Sequence, residues 1–119
     1  MVKDYWVGYF DGACEPTNPK GNMGIGAFVL NPKRERVFEY SKYISAQELN
    51  YETSNNVAEY LAFIEVVKFM KHNCPDDKKI ICGDSKLVVN QMNNEWGCKR
   101  GIYSKYYYQS LKLTETLLY

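Results

Sequence analysis

Three carboxylates in this chain sit where acids do chemistry: Asp11, Glu59 and Asp84. Asp11 follows the apolar run Tyr5-Trp6-Val7-Gly8-Tyr9-Phe10, and Asp84 follows Ile80-Ile81-Cys82-Gly83. Glu59 lies four and seven residues before Phe63 and Val66, with Met70 beyond. On a helix that spacing puts it inside the apolar arc, away from the wet side carrying Glu65, Lys68 and His72. A carboxylate pointing inward is strongly disfavoured unless partnered, so three like charges brought together must shift their pKa values or recruit a cation. Oxygen donors without histidine or thiolate select magnesium or manganese. Taken singly, each acid has an ordinary structural explanation: Asp11-Gly12 as a turn pair, Asn56-x-x-Glu59 as a capping box, Asp84-Ser85 as a helix start. One metal site at two strand ends and an inward helix face accounts for all three at once.

The elements that must position these acids can be traced along the chain. Lys3 to Gly12 is apolar on both alternating faces, which predicts a central strand covered on both sides. Glu15 to Asn22 is rich in turn formers. Strands follow from Met23 to Asn31, with the small residues Gly24 and Gly26, and from Arg36 to Ile44, which has a half-exposed pattern. Thr53-Ser54-Asn55-Asn56 supplies N-cap chemistry for a helix from Val57 to about His72, stopped by Pro75. A fourth strand from Lys78 to Asp84 leads into a short helix from Ser85 to about Asn93, and Ile102 to Tyr119 suits an amphipathic helix. The order is βββαβαα. A strand, helix and strand in succession form a crossover with parallel strands, and ligand sites in such sheets lie beyond the C-terminal strand ends. Pairing of the first and fourth strands brings Asp11 and Asp84 together.

Composition narrows the function classes. At 119 residues, 45% hydrophobic and 24% charged, the chain is sized for a single domain over 1–119. No window approaches the ~18 apolar residues of a membrane span, and no export signal opens the chain, so a cytoplasmic location is expected. Cys14, Cys74, Cys82 and Cys98 form no Cys-x-x-Cys pair and the single histidine, His72, has only Cys74 near it in sequence, which argues against zinc and for reduced thiols. A net charge of +1 means that nucleic acid must be held by local clusters, with Lys33-Arg34-Glu35-Arg36 and Lys99-Arg100 as candidates.

The segments YFDGACEPTNPKGNMGIGAFVL, TSNNVAEYLAFIEVVK and GDSKLVVNQMNNEW resemble, in order and separation, the three signatures of the type 1 ribonuclease H family. The resemblance implies an α/β fold built on a ribonuclease H-like mixed sheet: three antiparallel strands, then a parallel strand after the crossover helix. It implies an endoribonuclease that hydrolyses the RNA strand of RNA–DNA hybrids, with Asp11, Glu59 and Asp84 holding two Mg2+ or Mn2+ ions. Such ions, ~4 Å apart, activate the attacking water and stabilise the leaving 3′-oxygen. By the same resemblance, backbone groups of Gly12, Ala13 and Cys14, together with Asn55, meet RNA 2′-hydroxyls, which distinguish RNA from DNA. Ser54 and Asn56 match positions that hold a DNA-strand phosphate, and Asn18 matches a further substrate contact.

The chain departs from the family in three places. Lys86 stands where many relatives carry Gln. Only Gly-Cys-Lys-Arg-Gly separates Trp96 from Ile102, too short for the basic protrusion of some members. No Asp follows Asp84 and no His follows His72, so the family's fifth strand and fourth acid are missing, with Glu95 and Glu115 the only later acids. Beside the enzyme, two further expectations follow: a hybrid-binding module without turnover, and a fragment or subunit completed by another chain. An open edge on the fourth strand predicts self-association or a partner strand there.

Overall fold

Pairing of strands distant in sequence organises the molecule. The computed structural model describes residues 5–73 and 79–92 together with Tyr106 and Ser110. Strands β1 (Trp6–Glu15), β2 (Asn22–Leu30) and β3 (Arg36–Ile44) form an antiparallel meander, helix α1 (Asn55–Asn73) crosses over, and β4 (Lys79–Gly83) pairs parallel with β1. The sheet order is β3-β2-β1-β4, followed by the short helix α2 (Lys86–Met92). This is the mixed sheet and element order expected, as far as the described residues go.

Two expectations about β1 need correction. The strand does not turn at Gly12 but runs to Glu15, because its ladder with β2 continues from Gly12↔Ile25 through Glu15↔Asn22. The ladder with β4 ends earlier, at Phe10↔Gly83, so Asp11 and Asp84 both lie one residue past its last rung. Nor is β1 covered on both faces along its length. The face of Phe10 and Cys14 is buried under α1, whereas Tyr9 is 37% exposed and Asp11, Ala13 and Glu15 lie open on the other.

Close approach of α1 to the sheet depends on missing side chains. A Cβ on Gly12 would strike the backbone of Ala58 and come within 2.7 Å of the Glu59 nitrogen, and one on Gly8 would strike Val66. With those two positions bare, α1 settles directly on β1. Phe10 meets Phe63 edge to face with centroids 5.4 Å apart, and Phe38 stacks on Phe69. The helix is buried around much of its circumference: Tyr60, Ala62, Val67 and Met70 are as inaccessible as Val57 and Val66. Tyr60 donates its hydroxyl to the fully buried Gln91 of α2, tying the two helices.

The capping is also specific. Ser54, not the expected Asn56–Glu59 box, caps α1: its Oγ accepts from the Val57 N–H at 3.1 Å and its carbonyl from Ala58 at 3.0 Å. Between β3 and α1 a 3-10 helix, Ala46–Leu49, was not anticipated, although Ser45-x-x-Glu48 is a capping-box signature and forms one here. Of the expected C-terminal helix, Tyr106 and Ser110 are helical and buried. The remainder of that helix lies outside the described residues, as do Lys99-Arg100, Glu95, Glu115 and the region of the expected missing strand. Cys14 and Cys82 are free thiols.

Candidate active site

The three acids arrive at one place by two separate devices. The end of the parallel β1–β4 ladder sets Asp11 beside Asp84. The Gly12 contact with Ala58 and Glu59 then brings the first turns of α1 against the same strand end. Glu59 is half-buried. Its carboxyl is held above the ordinary carboxylate range, first by burial and then by repulsion from Asp11 and Asp84, while a hydrogen bond with Ser85 pulls the other way. Repulsion from both aspartates shows that the three share one electrostatic neighbourhood.

Ser85 is a residue the sequence reading treated only as a possible helix start. It is buried, its Oγ accepts the Val88 N–H at 3.2 Å to cap α2, and the same side chain bonds Glu59. One hydroxyl thereby links the helix after β4 to the carboxylate on α1. The signal was legible in principle, since a serine directly after a strand-end acid is suited to N-capping and to contacting whatever packs there.

Substrate-contact candidates gather next to the acids. Asn55, the first residue of α1, accepts the Cys14 N–H on its Oδ1 at 2.7 Å, and its own N–H donates to Asn18 Oδ1 at 2.9 Å. Thr53 donates to the Gly21 carbonyl at 2.6 Å, and the Lys20 N–H to the Thr53 carbonyl at 2.8 Å. The strand end, the loop after it and the helix N-terminus thus form one locked unit. With its Oδ1 engaged, Asn55 keeps its Nδ2 as the group to offer a ligand. Gly12 donates its N–H to Asp11 at 3.0 Å. Since a residue's N–H and C=O point to the same strand edge, the carbonyls of Gly12 and Cys14 face the side beyond the β4 ladder, and Ala13 faces β2. Ser54 is nearly buried, and Asn56 lies beside it, half-buried.

Other candidates do not join the site. In the Lys33-Arg34-Glu35-Arg36 cluster, Arg34 bonds the Tyr5 carbonyl, and Arg36 sits 4.1 Å over the Phe28 ring while pairing with Glu39 at 3.6 Å. Lys86 is exposed. On the open face a cleft of about 540 Å3 is lined by Asp11 and Asp84 at one end and by Tyr9, Phe28 and Arg36 at the other. Among the described residues no three His, Cys, Asp or Glu side chains are gathered into a ready metal site. The donor set nevertheless fits a hard divalent cation: three carboxylates, with no nitrogen or sulfur ligand, whose mutual repulsion a cation would relieve.

Fold and site together describe an α/β domain with three acids gathered at its strand ends, and comparison with known proteins says to which family it belongs. The RNase H family model matches residues 3–116, and the chain belongs to the RNase H family. It is 37% identical over 86 residues to a ribonuclease H of Neisseria meningitidis serogroup C, an alignment covering 72% of this chain and 50% of that protein. A ribonuclease HI of serogroup B gives the same figures. The chain therefore spans about half the length of the curated relatives it matches. Among solved structures, the N-terminal RNase H domain of a Mycobacterium tuberculosis protein superposes with a TM-score of 0.81 at 27% identity, covering 96% of this chain and 81% of that one. LC11-RNase H1, solved in complex with an RNA/DNA hybrid, gives 0.79 at 27% identity, covering 95% and 78%.

Proposed function

We propose that this chain is an endoribonuclease that hydrolyses the RNA strand of RNA–DNA hybrids, with Asp11, Glu59 and Asp84 holding magnesium or manganese. The observation that carries the reading is the shared neighbourhood of the three acids at the end of the β1–β4 ladder, with Glu59 repelled by both partners. Two bound ions would supply a nucleophilic hydroxide and a counter-charge for the leaving 3′-oxygen. The chain's own residues do the positioning. Ser85 orients Glu59, and the bond from Gly12 holds Asp11. Asn55, fixed at Oδ1 by Cys14, presents Nδ2 beside the Gly12 and Cys14 carbonyls, a donor and two acceptors matched to a ribose hydroxyl, which is both donor and acceptor. Ser54 and Asn56 stand at the α1 N-terminus, where the helix dipole favours a DNA phosphate, and Asn18 braces that end.

The deciding experiment is cleavage of a labelled hybrid by the pure protein with and without Mg2+. Asp11→Asn, Glu59→Gln and Asp84→Asn should each lower turnover at least about 100-fold while the variants stay folded, since each removes a charged ligand at nearly constant volume. Full turnover in any one of them rules out the site. Hybrid binding without cleavage by the unaltered protein would favour the binding module instead. The outer edge of β4 has no partner strand among the described residues. We further propose that a second copy or another chain pairs there, which sedimentation at rising concentration tests.

A further inference from the structure

β2 carries two glycines of a different kind from Gly8 and Gly12. A Cβ added to Gly24 or to Gly26 would meet no described residue within 4 Å. Packing does not require them, and a branched residue at either place would favour the strand. Bare glycines inside a strand with open space above them mark a surface that another backbone or a ligand approaches closely.

The register places that space beside the acids. Gly26 lies between Asp11 on β1 and Ser41 on β3, and Gly24 between Ala13 and Tyr43. A trough of about 400 Å3 therefore starts at Asp11, is floored by the two glycines and is walled by Tyr43. Beyond Tyr43 a second hollow of about 450 Å3 continues past Asn22 to Pro16. Tyr43 lines both and is 66% exposed, the most exposed large hydrophobic side chain among the described residues.

We propose that this trough carries an unpaired continuation of the bound nucleic-acid strand away from the acids, with Tyr43 stacked on a base. The inference rests on the nuclease reading and extends it to a substrate path. A flat floor with an exposed ring beyond it matches the face of an unpaired base in an extended strand. The scale fits as well. Two strand spacings of about 4.8 Å separate Asp11 from Ser41, and Tyr43 is about 7 Å further along β3. That distance is roughly three to four rises of about 3.4 Å, so Tyr43 meets the strand a few nucleotides from the cut.

The test is fluorescence anisotropy with calcium replacing magnesium to suppress cleavage, using one long hybrid whose RNA strand continues past the acids as a single-stranded overhang at both ends and one short hybrid that ends just past them. Gly24→Val and Tyr43→Ala should each weaken binding of the long hybrid about tenfold and leave the short one unchanged, while Tyr43→Trp keeps wild-type affinity. Gly24→Val should melt no lower than the unaltered protein. Because Tyr43 is exposed, Tyr43→Ala keeps its fold whatever becomes of Gly24→Val, and unchanged long-hybrid affinity in it alone overturns the proposal. Failure of the unaltered protein to bind any hybrid would sink the nuclease reading and this inference with it. Binding that survives every variant sinks the trough only.

Discussion

The two faces of the sheet solve opposite problems. Under α1, Gly8 and Gly12 let backbones touch, aromatic rings interlock and Tyr60 reaches Gln91, so that surface has almost no freedom left. On the other face Gly24 and Gly26 also lack side chains, yet no described residue fills the space, and Tyr9 and Tyr43 stand exposed. The same residue type thus closes one surface and clears the other. What differs is what lies above it, and Asp11, Glu59 and Asp84 stand where the packed layer ends.

That contrast can be broken most severely at Gly12. Gly12→Ala forces α1 off β1, because the obstacle is the Ala58–Glu59 backbone and not a movable side chain. A loss of about 3 kcal/mol is expected, together with loss of cleavage as Glu59 leaves its partners; equilibrium urea unfolding would show it, and a wild-type midpoint would contradict the packing argument.

A smaller effect follows from the titration of Glu59. With its carboxyl pKa raised in the folded state, Glu59 contributes stability below its ordinary range and loses it as pH rises through the raised value. Above that raised value the ionised group works against the fold. Glu59→Gln should therefore melt higher than the unaltered protein above that window and equally at acid pH. Added Mg2+ should stabilise the unaltered protein and barely affect the variant. Melting curves at acid and mildly alkaline pH, with and without Mg2+, check both, and a variant less stable at alkaline pH would reverse the electrostatic picture.

The least effect belongs to the open face. Val37, 41% exposed near the start of β3, should tolerate replacement by Thr within about 0.5 kcal/mol. A larger loss, read from the same urea curves, would mean that something covers this face in solution.

Much of this arrangement was legible in the residues. β3 spans Arg36–Ile44 as anticipated, β4 and α1 lie within about two residues of expectation, and the inward placement of Glu59 followed from Phe63, Val66 and Met70. Periodicity reports such features directly, since each depends on side chains of one segment. What escaped depends on partners. The extension of β1 to Glu15 is set by pairing with β2, and Ser85 gained its second bond only when α1 came within reach. The openness of the Tyr9 face could not be read from β1, whose apolar residues alternate on both sides whether or not anything covers them. Nor does composition separate Arg34 and Arg36, engaged with Tyr5 and Phe28, from a basic patch free to bind.

The uneven range of the sheet's contacts also orders its assembly in time. β1, β2 and β3 pair with immediate neighbours along the chain, whereas β4 reaches β1 only after the chain has crossed through α1. Short loops close sooner than long ones, so the meander with α1 can form while β4 is still searching for its place. Asp11 and Glu59 would then be neighbours before Asp84 joins them, and the third acid becomes the last part of the centre to arrive and the first to leave. In hydrogen exchange, the amides of β4 should open ahead of those of β2.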